Sequence, residues 1–203
     1  AVRLSNGYQF TVTPGQLFRV LQTDLTIGWE QAERLEGQNV LVSNPYCLGE
    51  PPPHPEEDTS ALAYLIGLLV AEGYLTDRNR SKRVGINMID REPLEFLYDF
   101  CAQRNIAVSW SQVSPQQPHH QVQHCVRFTG LPEAYAACEP TSAVKQVPAW
   151  ILTDRRLFAP FLAGFTDGDG HIRANHLKRE VVLASTSSLL LTQIQAMLAD
   201  SGI

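Results

Sequence analysis

Polar and apolar positions change period several times along the chain, and each change marks an element. Residues 1–43 read as β structure, and "VRLSNGYQFTVTP" (2–14) sets Asn6-Gly7 between two alternating runs, the signal of a hairpin. The proline- and acid-rich "NPYCLGEPPPHPEED" (44–58) breaks all periodicity, so residues 44–60 read as a linker. Asp58, Thr59 and Ser60 offer N-caps for a helix to about Ala71, followed by strands near 73–78 and 83–89. Asp90 is predicted to cap an amphipathic helix through Asn105, with Leu94, Leu97, Tyr98 and Cys101 on one face. Strands near 107–113 and 121–129 and a short helix from Leu131 come next. The series then restarts with a helix from about Leu157 to Thr166, strands near 171–176 and 180–186, and a helix over 187–200.

The two long apolar helices end alike. "YLIGLLVAEG" (64–73) and "FLAGFTDGDG" (161–170) superpose under a shift of 97 residues, which puts Gly73 on Gly170, Glu72 on Asp169 and Gly67 on Gly164. Ala63, Gly67 and Ala71 then fall on Pro160, Gly164 and Gly168, four residues apart and so in one row along one helix face. A row of small residues lets two backbones approach closely, while Leu65, Leu68, Leu162 and Phe165 anchor each helix in its own core. Packed small row to small row, the helices bring Glu72 and Asp169 together. Each carboxylate then lies at a negative helix end and faces the other, an arrangement that raises the pKa of at least one unless a cation sits between them. Hard carboxylate oxygens suit Mg²⁺. The other reading of each motif by itself is a core helix with a glycine after its last turn.

Composition narrows the choices. The longest apolar run, Ala61 to Ala71, is too short to span a membrane, and the N-terminus shows no signal peptide. Cys47, Cys101, Cys125 and Cys138 lack paired spacing and read as reduced, buried thiols rather than a zinc site or disulfides, which fits the cytoplasm. His119, His120 and His124 beside Cys125 could imitate a metal cluster, but a strand with its turn is the better reading. The net charge of −5 belongs entirely to the first part: residues 1–60 carry 3 basic and 8 acidic groups, and residues 61–203 carry 13 of each. A neutral unit can bind nucleic acid if its basic groups gather on one surface, and "RNRSKR" (78–83) is the one dense basic cluster.

"LIGLLVAEG" (65–73) and "LAGFTDGDG" (162–170) resemble the LAGLIDADG motif of homing endonucleases. That resemblance implies an α+β fold of two pseudo-symmetric αββαββα repeats over 61–203, packed through their motif helices. The first repeat would be 61–140 and the second, incomplete, 141–203. It implies a pseudo-dimeric monomer, completed by a further C-terminal segment, in which the motifs' final acids bind catalytic Mg²⁺ or Mn²⁺. Residue by residue, those acids are Asp169 and Glu72, which stands where the family has Asp. "VKQVPAWI" (144–151) resembles the Lys-x-x-Pro block of intein-borne members and places Lys145 beside the catalytic centre. "ASTSSLLLTQIQAMLADSGI" (184–203) is similar to their helical block after the second motif. Residues 1–43 resemble part of a small all-β intein splicing domain, with Thr13 in its Thr-x-x-His block and Gln16 at the His position. The terminal splicing blocks are missing, so the resemblance implies an interior piece of an intein, flanked by host exteins, that does not splice by itself.

Strand phase supplies a surface for double-stranded DNA. Tyr74, Thr76 and Arg78 match His171, Arg173 and Asn175 under the same shift, while Leu75, Ile172 and Ala174 point the other way. Arg83 and Asn87 on the second strand, and Gln121, Gln123 and Arg127 on a later one, fit the same major-groove use. Three functions follow: a site-specific endonuclease, a nucleic-acid-binding protein of this fold that does not cut, or a splicing element with a vestigial nuclease. Survival of both acids and Lys145 favours the first.

Overall fold

The computed structural model describes residues 1–5, 7, 9–24, 26–40, 57–78, 81–113, 121–174 and 179–201. Two compact units emerge: Ala1–Pro45 with Gln195–Ile203, and Tyr46–Ile194. Residues 41–56, with Cys47 and most of the predicted linker, lie outside the described residues.

The smaller unit holds short antiparallel strands. β1 (Val2–Arg3) pairs with β2 (Gln9–Phe10) across a loop in which Gly7, at φ +92°, donates its N–H to the Leu4 carbonyl. β3 (Leu17–Leu21) lies between β4 (Ile27–Gln31) and β5 (Asn39–Val40). Asp24 turns the β3–β4 hairpin by accepting from both the N–H and the hydroxyl of Thr26. Thr13 and Gln16 are exposed and close a turn, Gln16 N–H donating to the Thr13 carbonyl at 3.1 Å.

The larger unit opens with α1 (Glu57–Glu72), whose Ala63 and Leu65 through Val70 are all buried. Such a helix, apolar on all sides, belongs in a core. Next come β6 (Tyr74–Arg78), β7 (Ser81–Met88), α2 (Glu92–Gln103), β8 (Val108–Val113), β9 (Gln123–Phe128) and α3 (Pro132–Cys138). The four strands form one antiparallel sheet in the order β6-β7-β9-β8. Its period-two alternation buries Val84, Ile86, Val126 and Phe128 on one face, and α1, α2 and α3 pack against its strands. A short α4 (Ala149–Leu152) leads to α5 (Phe158–Asp169), the antiparallel pair β10 (Gly170–Ala174) and β11 (Arg179–Leu183), and α6 (Ser188–Asp200), whose residues through Ile194 belong to this unit. Among the described residues no helix is long and apolar enough to cross a membrane.

Several boundaries differ from the sequence reading for identifiable reasons. α1 begins at Glu57, so residues 57–60, read as linker, are its first turn. Glu57 and Asp58 there suit the positive end of the helix dipole. Asp90 does not cap α2; Arg91 takes that position, because Pro93 suits a first helical turn and sets the start at Glu92. Leu94, Leu97 and Cys101 of the predicted face are buried, but Tyr98 is 37% exposed and packs edge-on to Trp110, while Phe100 takes a core position. α5 does not stop at Thr166; it continues through Gly168 to Asp169. Cys101, Cys125 and Cys138 are buried free thiols, and burial pushes Cys101 up to about 11 and Cys138 to about 12.

Candidate functional site

Glycine brings α1 and α5 together. A Cβ on Gly67 would overlap the Phe161 carbonyl oxygen and lie 2.8 Å from the Phe165 nitrogen. A Cβ on Gly164 would overlap the Tyr64 carbonyl oxygen and lie 2.9 Å from the Leu68 nitrogen. One turn on, a Cβ on Gly168 would run into that of Ala71. The obstructing atoms at Gly67 and Gly164 are backbone, which cannot swing aside. Gly168 is a poor helix former, yet only a residue without a side chain lets α5 hold this approach for its last turn. That is why the helix outruns the sequence reading. Leu65, Leu68 and Phe165 are buried on the flanks as anchors, and Leu162 is half-buried.

The two C-termini therefore coincide, and the Glu72 and Asp169 carboxyls come close enough for each to feel the other. Partial burial and the neighbouring Asp169 hold the Glu72 carboxyl above the usual range, and Lys145 pulls it partly back. Lys145 is itself buried, its Nζ donating to the Val70 carbonyl at 2.6 Å and the Ala71 carbonyl at 3.1 Å. An ammonium on the last carbonyls of a helix satisfies groups that the helix leaves unpaired.

A bond that the sequence reading missed ties the pair further up. The Tyr64 hydroxyl donates to Asp167 Oδ2 at 2.6 Å, and burial together with that carboxylate pushes the phenol above its usual range. Under the 97-residue shift Tyr64 corresponds to Phe161 and Asp167 to Val70, so the repeat carries no trace of it.

Among the described residues no group of three or more His, Cys, Asp or Glu side chains comes together. A divalent ion here would rest on the two carboxylates. Mg²⁺ is held by one or two carboxylates and keeps several waters, so this hard-oxygen pair fits it. His124 and Cys125, adjacent on β9, face opposite sides of the sheet. His124 packs against Trp110, ring centroids 5.7 Å apart, and its Nδ1 has no hydrogen-bond partner among the described residues. His119 and His120 lie outside the described residues.

Strain between the acids gives a testable stability effect. A carboxyl whose folded pKa is raised adds stability below its ordinary value, 4.5 for Glu72, and that stability is lost as pH rises through the folded value. At neutral pH without metal, Glu72→Gln is therefore expected to raise Tm. The effect should be about 2 °C, since the carboxyl is exposed enough for solvent to screen it. Melting at pH 4 and pH 7.5 checks the sign: the gain should appear only at the higher pH.

Beyond the acids, each motif helix turns directly into a strand: Glu72 precedes β6 and Asp169 precedes β10. Register places Thr76 beside Arg83, Tyr74 beside Gly85, Gly85 beside Arg127, and Asn87 beside Cys125. Ser109 and Ser111 of β8 pair with Arg127 and Cys125, and Val113 with Gln123. Thr76, Arg83, Asn87, Gln123 and Arg127 thus share the polar face, opposite the helices. Tyr74, on the same face, lies across Gly85, where a Cβ would meet its ring at 2.7 Å. Its hydroxyl donates to Asn87 Oδ1 at 2.9 Å and lies 3.5 Å from Cys125 Sγ. Tyr74 is thus a fixed tile of the surface, not a free arm.

Gln121 is exposed but precedes β9, which starts at Gln123 rather than at 121. In the second hairpin, exposed His171 pairs in register with Val182, and Arg173 with Glu180. Arg78 is the last residue of β6, in register with Ser81, and Asn175 lies outside the described residues.

Residues 158–203 match the model of the LAGLIDADG-like domain. No curated protein matches the chain in sequence. Among solved structures, the chain is similar to the N-terminal LAGLIDADG domain of DUF199/WhiA, at 14% identity and TM-score 0.50 over 73% of this chain and 67% of that one. It is also similar to full-length DUF199/WhiA from Thermatoga maritima, at 13% identity and TM-score 0.50, where 72% of this chain covers 45% of that one. A third likeness is to I-DmoI in complex with DNA and Ca, at 17% identity and TM-score 0.50, over 72% of this chain and 74% of that one. The chain thus spans less than half of the full-length WhiA structure. At these identities the likeness is one of fold: a segment matching the LAGLIDADG-like domain, carried on a mixed α+β fold similar to that of I-DmoI.

Proposed function

We propose that the chain is a site-specific endonuclease of the intein-borne LAGLIDADG type, making a metal-dependent double-strand break in DNA. One observation carries this reading: two motif helices in glycine contact bring the Glu72 and Asp169 carboxyls together, with Lys145 on the end of the α1 helix. Core packing accounts for the helix contact, and capping for the lysine, but neither calls for two carboxylates at one point.

In this reading Glu72 and Asp169 hold Mg²⁺ or Mn²⁺. Such an ion, when bound, supplies Lewis-acid stabilisation of the phosphate and a more acidic water. Lys145 adds positive charge where negative charge grows on the phosphate and restrains the α1 terminus that carries Glu72. The polar face of the β6–β9 sheet lies along the major groove, where Arg83 and Arg127 suit guanine edges or phosphates and Asn87 and Gln123 suit adenine. Thr76 and Tyr74 fill the face between them. Arg78, Gln121, His171, Arg173 and Asn175 extend the contact along the strands and across the second repeat. Both repeats act in one chain as a pseudo-dimer. Residues 1–43 are a piece of the splicing domain, with the Thr13–Gln16 turn in its Thr-x-x-His block, flanked in the precursor by host exteins. The protein works in the cytoplasm, where its buried thiols stay reduced.

The test is incubation of the intact natural polypeptide with fragments spanning the uninterrupted host gene, in Mg²⁺ or Mn²⁺. One defined double-strand break is expected, and none with a chelator. Tight, site-specific binding with no cutting in either ion would leave a DNA-binding protein of this fold in its place.

A further inference from the structure

Among the described residues only four polar or charged side chains are buried: His124, Lys145, Ser187 and Gln193. Three of them meet on one short segment. The Ser187 hydroxyl donates to the Lys145 carbonyl at 2.6 Å and accepts from the Leu190 N–H at 3.2 Å, so the same oxygen caps α6 and grips residue 145. Gln193, almost two turns into α6, accepts from the Val147 N–H at 2.9 Å through Oε1. Segment 145–147 is thereby fixed at both ends to one rigid helix.

Lys145 needs that support. It lies outside any regular element, between the short helical turn at Ser142–Val144 and Pro148, with extended backbone at φ −57° and ψ 148°. Its own backbone supplies no ladder to hold it. Buried polar groups cost stability unless paired, and here each pairing acts on the segment that carries the lysine.

We propose that Ser187 and Gln193 are positioning residues for Lys145: α6 holds segment 145–147 so that Nζ reaches the Val70 and Ala71 carbonyls beside the Glu72–Asp169 pair. The proposal rests on the reading of Lys145 as part of the nuclease centre. It places a determinant of cutting on the helix after the second motif, on residues that touch neither DNA nor carboxylate.

The experiment compares the parent with Gln193→Met, Ser187→Ala and Ser187→Thr. Each is treated with an amine-acetylating reagent, and the rate at Lys145 is read by mass spectrometry against exposed Lys82 in the same molecule. Protection of the buried Cys101 thiol reports whether the fold is kept. Single-turnover cutting and DNA affinity are measured alongside. In the parent, Lys145 should react about tenfold more slowly than Lys82, and in Gln193→Met that protection should be lost while Cys101 stays protected. Cutting should fall about tenfold or more with unchanged DNA affinity. Ser187→Ala should behave like Gln193→Met, and Ser187→Thr, which keeps the hydroxyl, should restore both readouts. Unchanged Lys145 acetylation in Gln193→Met and Ser187→Ala would overturn the proposal, as would exposure of Lys145 with no change in cutting. If the parent itself cuts no DNA, the nuclease reading fails while the acetylation rates still decide whether α6 holds Lys145.

Discussion

Gly164→Leu is expected to lower thermal stability and DNA cutting together. The position faces the Tyr64 carbonyl oxygen and the Leu68 nitrogen of α1, so a side chain there meets rigid backbone and the helices must part. Overpacking typically costs ~1–3 kcal/mol, which for a chain of this size lowers Tm by about 3–10 °C. The catalytic loss should be larger, because even ~1 Å of misplacement can cost ~100-fold in rate, and parting the helices moves Asp169 from Glu72 directly. Ala163→Leu, next door but exposed, should leave both readouts unchanged. A Gly164→Leu protein that melts and cuts like the parent would mean that the helices do not meet along this face, and the pairing of acids would lose its basis.

Much of this arrangement was legible because it depends on spacing. A row of small residues four apart identifies the contact face of each motif helix, and a period of two sorts Thr76, Arg83, Asn87, Gln123 and Arg127 from the core residues between them. What escaped depends on neighbours far away in sequence. Asp167, Gly168 and Asp169 look locally like a helix stop, and only the close approach of Ala71 shows why the helix continues. Tyr98 and Phe100 are both aromatic residues of one amphipathic helix, and Trp110, ten or more residues on, draws Tyr98 outward. The Tyr64–Asp167 bond breaks the repeat and so left no mark in it. Gln193 looks like a solvated position on a helix until Val147 supplies its donor. Ser187 reads as a cap, but its second bond, to the Lys145 carbonyl, cannot be seen from the residues around it.

The second large effect expected is that of Asp169→Asn. The substitution keeps the size of the side chain and its capacity to hydrogen-bond Glu72, and it removes a charge that the helix ends disfavour, so the fold should be kept. In the proposed reading it removes one of the two carboxylates that hold the metal. Groups that merely support a metal ligand cost 10–100-fold when lost, so losing the ligand itself should slow cutting by more than ~100-fold. DNA affinity should hardly change, because the proposed reading puts recognition on the sheet face and not at the helix ends. The decisive measurement is single-turnover cutting of pre-bound target DNA, started by adding Mg²⁺, with the affinity of the same protein for the same DNA measured in parallel. The account predicts a parent that cuts and an Asp169→Asn protein that binds as tightly but does not. An Asp169→Asn protein that cuts at the parental rate, or one that loses affinity in proportion to activity with its fold intact, would contradict it.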